Sequence, residues 1–128
     1  MIWLKGENMN IEEYLNRFLP DNGSPMSGLN NVKVNTIIFT HNRHKAENRL
    51  NVIYNENKNN VRKYLKGKDD LQIWLNDGLR FIWVKPNQAA RGYRCAKAII
   101  DRDITLQELQ DNIEGCLLYC GKGDITFF

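Results

Sequence analysis

Residues 32–40, VKVNTIIFT, are rich in β-branched side chains and close on the uninterrupted apolar run Ile37-Ile38-Phe39. Successive side chains of a strand point to opposite faces, so three consecutive apolar residues load both faces at once. A strand of this kind belongs inside a sheet covered on both sides, and residues 32–40 are expected to be a central strand. Leu79–Lys85 (LRFIWVK), closed by Pro86-Asn87, and Cys95–Asp101 (CAKAIID) read as further strands. Helical patterns lie between and after them. The expected fold is α/β: a single small domain over residues 1–128, with a mixed or mostly parallel sheet flanked by helices.

The connecting segments carry their own signals. Asn10 can cap a helix whose first turn holds Glu12 and Glu13, with Ile11, Tyr14, Leu15 and Phe18 on one face and Pro20 as its stop. Residues 20–31, PDNGSPMSGLNN, form a loop. Ala46, Leu50, Ile53, Asn57, Val61, Tyr64 and Leu65 keep helical spacing, which predicts a helix over 42–66 ending at Gly67. The alternative is a strand over RLNVIY followed by a helix from Asn57 to Lys66. A short helix is expected from Asp69 to Asn76, with Leu71, Trp74 and Leu75 on one side and Asp77-Gly78 as a turn. Thr105 and Glu108 have the spacing of a capping box ahead of Leu106, Leu109 and Ile113, with Gly115 as terminator. Cys116–Tyr119 and Ile125–Phe128 read as a final hairpin or edge strand around GKGD. Lys5-Gly6-Glu7-Asn8 before Met9 reads like a translated ribosome-binding site, so residues 1–8 are a candidate mis-annotated extension; an ordinary N-terminal strand led by Trp3 and Leu4 is the alternative.

No apolar run reaches membrane-spanning length and no signal-peptide pattern opens the chain, so a cytoplasmic protein without a membrane span is expected. Three cysteines, Cys95, Cys116 and Cys120, fit free buried thiols better than a disulfide framework. The 17 asparagines are interleaved with Leu, Ile, Val and Tyr, which argues against a prion-like tract. A net charge of +3 permits a nucleic-acid or nucleotide partner without requiring one.

Local clustering is more informative. In KPNQAARGYRCAKAIIDRD, residues 85–103, Arg91 and Arg94 flank Gly92-Tyr93, with Lys85, Asn87 and Lys97 close in sequence. Guanidinium forks suit phosphate oxygens and an aromatic ring suits a base, so Lys85, Asn87, Arg91, Tyr93, Arg94 and Lys97 form the candidate phosphate-binding set. The competing reading is a turn in which Gly92 supplies a positive φ and the arginines are solvated or pair with Asp101 and Asp103.

Two motifs carry a family resemblance. Asn35–Leu50 (NTIIFTHNRHKAENRL) is similar to the strand, polar corner and helix that follow the nucleotide-binding helix of phage large terminases and related helicase-type P-loop ATPases. Asn76–Asp103 resembles the "NG…RI…P(N)…RGY…IIDE" passage that leads into their Walker B strand. The resemblance spans residues 33–103 and implies that Asp101 matches the metal-binding aspartate. Arg102 stands where the family has its catalytic glutamate, and no G-x-x-x-x-G-K-[ST] occurs; Gly115, Gly121, Lys122 and Gly123 do not supply one. Such a domain would bind without hydrolysing ATP.

Other constellations are thinner. His41-x-x-His44 and Cys116-x3-Cys120 have zinc-ligand chemistry but lie far apart, and a surface corner plus a buried segment accounts for them. Asp101, Asp103 and Glu108 could hold Mg²⁺ for a nuclease, although Asp103 and Glu108 also suit a pre-helix turn and its capping box. Trp74 and Trp83 read as core. Apart from that possible Mg²⁺, no cofactor and no catalytic residue is expected. Three classes follow: a non-enzymatic, phage- or mobile-element-type binder of nucleic acid or nucleotide; a protein-protein inhibitor or counter-defence factor contacting a host protein through Arg91, Tyr93 and Arg94; and a metal-dependent nuclease or degenerate ATPase using Asp101 and Asp103.

Overall fold

The computed structural model describes residues 9–23 and 35–128. The candidate extension 1–8, most of the 20–31 loop and residues 32–34 of the expected strand lie outside these residues. Helix α1 is Ile11–Phe18, and the Asn10 side chain accepts the Glu13 amide at 2.8 Å as its cap. Strand β1 is Asn35–Phe39, followed by helix α2, Arg43–Glu56, capped by Asn42. A 3-10 turn, Lys58–Asn60, leads into β2, Val61–Lys66; then come β3, Leu71–Leu75, and β4, Arg80–Val84. A second 3-10 turn, Gln88–Gly92, precedes β5, Lys97–Ile100. Helix α3 starts at Leu106–Glu108 under a Thr105–Glu108 capping box, widens to a π turn over Leu109–Ile113 and tightens over Glu114–Leu117. The chain closes with β6, Ile125–Phe127.

The six strands form one mixed sheet in the order β2-β3-β4-β1-β5-β6. Pairings β4-β1, β1-β5 and β5-β6 are parallel, while β2-β3 and β3-β4 are antiparallel. The domain is therefore α/β, with β1 central. Ile37, Phe39, Ile82, Val84, Ala98 and Ile100 face Ile11, Leu15, Leu109 and Ile113 of α1 and α3. Ile38, Trp83, Leu71, Ile73 and Leu75 face Ala46 and Leu50 of α2 on the other side. The continuous apolar run of β1 is explained by these two helical layers.

Residues 57–76 depart from expectation. Neither a helix through Gly67 nor a strand before a helix forms: the helix comes first and the strand second. The Asn57 side-chain amide donates to the Ile53 carbonyl at 2.8 Å and the Asn57 backbone N–H to Ile53 and Tyr54, which closes α2. Val61–Lys66 then pairs with Leu71–Leu75, and Gly67 N–H donates to the Asp70 carbonyl at 2.7 Å in the turn between them. The expected helix 69–76 is thus a strand, and Leu71, Ile73 and Leu75 are buried in alternation. Their period of two was readable, but the acidic pair Asp69-Asp70 imitates a helix start. Asp77-Gly78 is a turn as expected; Gly78 has φ 96°, a conformation glycine adopts without a Cβ clash. Cys116–Tyr119 forms helical turns instead of a hairpin arm, and β6 joins β5 in parallel.

At one place the chain passes too close for a side chain. A Cβ on Gly121 would lie 2.5 Å from the Asn22 carbonyl carbon and 2.6 Å from the Gly23 nitrogen, so only glycine lets the C-terminal segment pack against the end of the α1 connection.

Candidate functional site

The carboxyl ends of β1 and β5 leave the sheet side by side, and the chain departs from them in opposite directions, towards β4 and towards β6. In open α/β sheets this divergence opens a crevice. Asp101, following β5, is 3% exposed. The Thr40 hydroxyl donates to its Oδ2 at 2.6 Å, the Asp103 amide to its Oδ1 at 2.9 Å, and Lys45 Nζ, from the first turn of α2, to both oxygens at 3.1 and 3.3 Å. Lys45 also reaches Asp103 Oδ2 at 3.0 Å. The Trp83 indole N–H holds the Thr40 carbonyl at 2.9 Å from beneath. Burial alone pushes the Asp101 carboxyl up, but Thr40, the Asp103 amide and Lys45 together outweigh it and hold it below the usual carboxylate range. The same carboxylates hold the Lys45 ammonium above its ordinary value.

This arrangement bears on the metal reading. The two aspartates expected to carry Mg²⁺ are bridged by a lysine ammonium, and Glu108 is committed to the Thr105 amide and to His41. A divalent ion would have to displace Lys45. Among the described residues no group of three His, Cys, Asp or Glu is arranged to hold a metal. His41 pairs with Glu108, while Cys116 and Cys120 are buried against α1 and the sheet.

The basic segment lies elsewhere. Lys85 follows β4 at the carboxyl edge, 3.6 Å from Asp69. Lys97 opens β5 at the level of Thr36, whereas Val84 is level with Phe39. Four residue steps, about 13 Å, therefore separate Lys85 and Lys97 along the strand direction, and the fold does not bring them together. The Asn87 side chain accepts the Ala89 amide at 2.9 Å and caps the turn. Arg91, Tyr93 and Arg94 do stay together. Arg91 Nε donates to Asn112 Oδ1 at 2.8 Å, Arg94 Nη1 donates to the Tyr93 carbonyl at 2.8 Å, and Tyr93 is 39% exposed. The Cys116 thiol donates to the Ala90 carbonyl and the Cys95 amide to the Cys116 carbonyl, tying the turn to α3. Gly92 has no positive φ, so that part of the turn reading does not hold.

The anchoring thiols are themselves sequestered. All three cysteines are buried; its hydrogen bond with Cys120, then burial, push the Cys95 thiol up, and burial pushes Cys116 up to about 11. Since the thiolate is the reactive form, Ellman's reagent at about pH 8 should leave the native protein unmodified over minutes. It should titrate all three thiols in guanidinium. Rapid reaction in the native state would refute this packing.

Two features escaped the sequence. Lys45 lies 56 residues from Asp101, beyond any local motif. Trp74, expected in the core with Trp83, is only half-buried: three cationic side chains surround its ring. The alternation of Leu71, Ile73 and Leu75 was the available clue that Trp74 faces the other way. A groove of about 480 Å³ lies behind the same edge, lined by Asn51, Tyr54, Asn55, Tyr64 and Lys66.

Among the described residues no helix is long and apolar enough to cross a membrane. In comparison with known proteins the chain matches no family model, no curated protein and no solved structure.

Proposed function

We propose that the protein is a non-enzymatic, phage- or mobile-element-type binder of a phosphate-bearing ligand, nucleic acid or nucleotide, acting in a cytoplasm. Arg91, Tyr93 and Arg94 carry the contact. The observation behind this reading is the disposition of charge: Asp101 and Asp103, the acids closest to the arginines in sequence, stand at the far end of β5 and are held by Lys45. Among the described residues no carboxylate lies within 4 Å of Arg91 or Arg94, and Tyr93 offers its ring beside them. A pair of unneutralised guanidiniums next to an aromatic face suits phosphate and base. Lys85, Asn87 and Lys97 are then peripheral. Kinship with terminase-type ATPases draws support from the parallel β1-β5 pair ending at Asp101, and Lys45 together with Arg102 favours binding over hydrolysis.

The test is a thermal-shift and binding series with single-stranded DNA, duplex DNA, RNA, ATP and cyclic nucleotides at two salt concentrations. The wild type should be stabilised by at least one of these, and Arg91→Ala/Arg94→Ala should bind roughly tenfold or more weakly with a shallower salt slope. Equal binding by both proteins would refute the assignment. Absence of any binding would favour a host-protein partner at the same turn.

A further inference from the structure

The antiparallel edge of the sheet holds a cluster that the arginine turn does not include. On the Trp74 ring converge Arg80 Cζ at 5.0 Å, Arg62 Cζ at 5.4 Å and Lys63 Nζ at 5.7 Å from its centroid. Lys66 Nζ, on the same edge strand, lies 4.7 Å over the Tyr64 ring on the opposite face of the sheet. Among the described residues no carboxylate lies within 4 Å of any of these four cations. Like charges held around one ring repel one another, and a polyanion laid over them would relieve that repulsion.

The cluster is built into the fold. The Trp74 indole N–H donates to Gln72 Oε1 at 2.9 Å, and Gln72 Nε2 donates to Asp70 Oδ1 at 2.8 Å, which fixes the plane of the ring. Arg80 Nε donates to Asn35 Oδ1 at 3.1 Å. Strand register sets Lys63 opposite Trp74, Trp74 opposite Arg80, and Arg80 opposite Asn35, so these four form one row across β2, β3, β4 and β1. At adjacent-strand spacing the row spans about 14 Å. Its far end leads towards the basic turn, because the Asn35 carbonyl accepts the Ala96 amide, two residues after Arg94.

We infer that this row, Lys63-Trp74-Arg80 with Arg62 beside it, is a binding platform for single-stranded nucleic acid. The inference rests on the phosphate-ligand reading above for its ligand class, but on different residues. Charge complementarity selects the occupant: the cations neutralise phosphates, and the tryptophan and guanidinium planes take unpaired bases. Bases paired in a duplex have no free face to offer them, which is why a single strand is specified.

Fluorescence anisotropy with labelled oligo(dT), oligo(U) and a duplex, each of roughly 20 nucleotides per strand and so longer than the footprint of one small domain, tests the proposal. The proteins compared are wild type, Trp74→Leu, Arg62→Ala/Lys63→Ala and Arg91→Ala/Arg94→Ala. The wild type should prefer single strands. Trp74→Leu should weaken them roughly tenfold or more. Arg62→Ala/Lys63→Ala should reduce the salt slope by about one to two charges. The exposed pair keeps the test decisive if Trp74→Leu fails to fold. The oligo(dT) and oligo(U) arms separate DNA from RNA. If both platform variants bind like wild type while Arg91→Ala/Arg94→Ala is impaired, the platform is overturned and the turn reading stands. If only the platform variants are impaired, the platform stands and the turn reading falls. Binding of duplex and single strand alike, insensitive to Trp74→Leu, overturns the platform. A wild type that binds no oligonucleotide overturns it as well, and nucleotide binding in the earlier series would then preserve the turn reading alone.

Discussion

Phe39→Ala should lower the unfolding free energy by about 4 kcal/mol, the middle of the range for truncating a buried phenylalanine. Phe39 is fully buried on the last rung of β1, between Val84 of β4 and Ile100 of β5, so no flexible edge can collapse into the space. For a domain of this size the loss corresponds to a fall in Tm of roughly 15 °C. The measurement is guanidinium unfolding of wild type, Phe39→Ala and Phe18→Ala. Phe18 is 47% exposed, and its truncation should cost far less. Equal costs would disprove a central β1.

Asp101→Ala is the second large effect. It removes the acceptor of the buried Thr40 hydroxyl and of the Asp103 amide, and takes away the partner of Lys45. Losing a buried carboxylate with three satisfied donors costs about 3 kcal/mol. The pH dependence follows from the direction of its shift. A carboxyl held lower in the folded chain than in the unfolded one contributes stability at pH above the ordinary carboxylate value, near 4. That contribution disappears as pH falls through the lower, folded value. Wild-type stability should therefore be flat near neutrality and decline on acidification, while Asp101→Ala should decline less. Some acid sensitivity should persist, because Glu108 is also held low: burial raises it, and the Thr105 amide and His41 more than compensate. Identical acid profiles for the two proteins would show that Asp101 is not held by these donors.

How much of this was legible follows from the range of each interaction. Asn10, Asp77-Gly78, Thr105 and Glu108 act over three or four residues, and each ended or began an element where the local chemistry indicated. The Ile37-Ile38-Phe39 run announced two covered faces, as found. Residues 61–75 are not helical because β2 and β3 pair with each other, and strand pairing overrides a helical spacing already weakened by its asparagines, Asn55, Asn57, Asn59 and Asn60. At the candidate site, Arg91, Tyr93 and Arg94 are exposed. The grouping of Lys45 with Asp101, and of Lys63 with Trp74 and Arg80, depends on topology and register, which no local spacing encodes.

Strand β2 has one further consequence. An open sheet ends in rows of unpaired backbone N–H and C=O groups, an invitation to a strand from another molecule. Here β2 carries three cations in six residues, Arg62, Lys63 and Lys66, and its register slips between Val61 and Lys63, so an incoming strand meets both repulsion and a mismatched ladder. At the opposite edge β6 is only three residues long. Arg62 and Lys63, which crowd one tryptophan, thus also work against growth of the domain, sheet edge to sheet edge, into an aggregate.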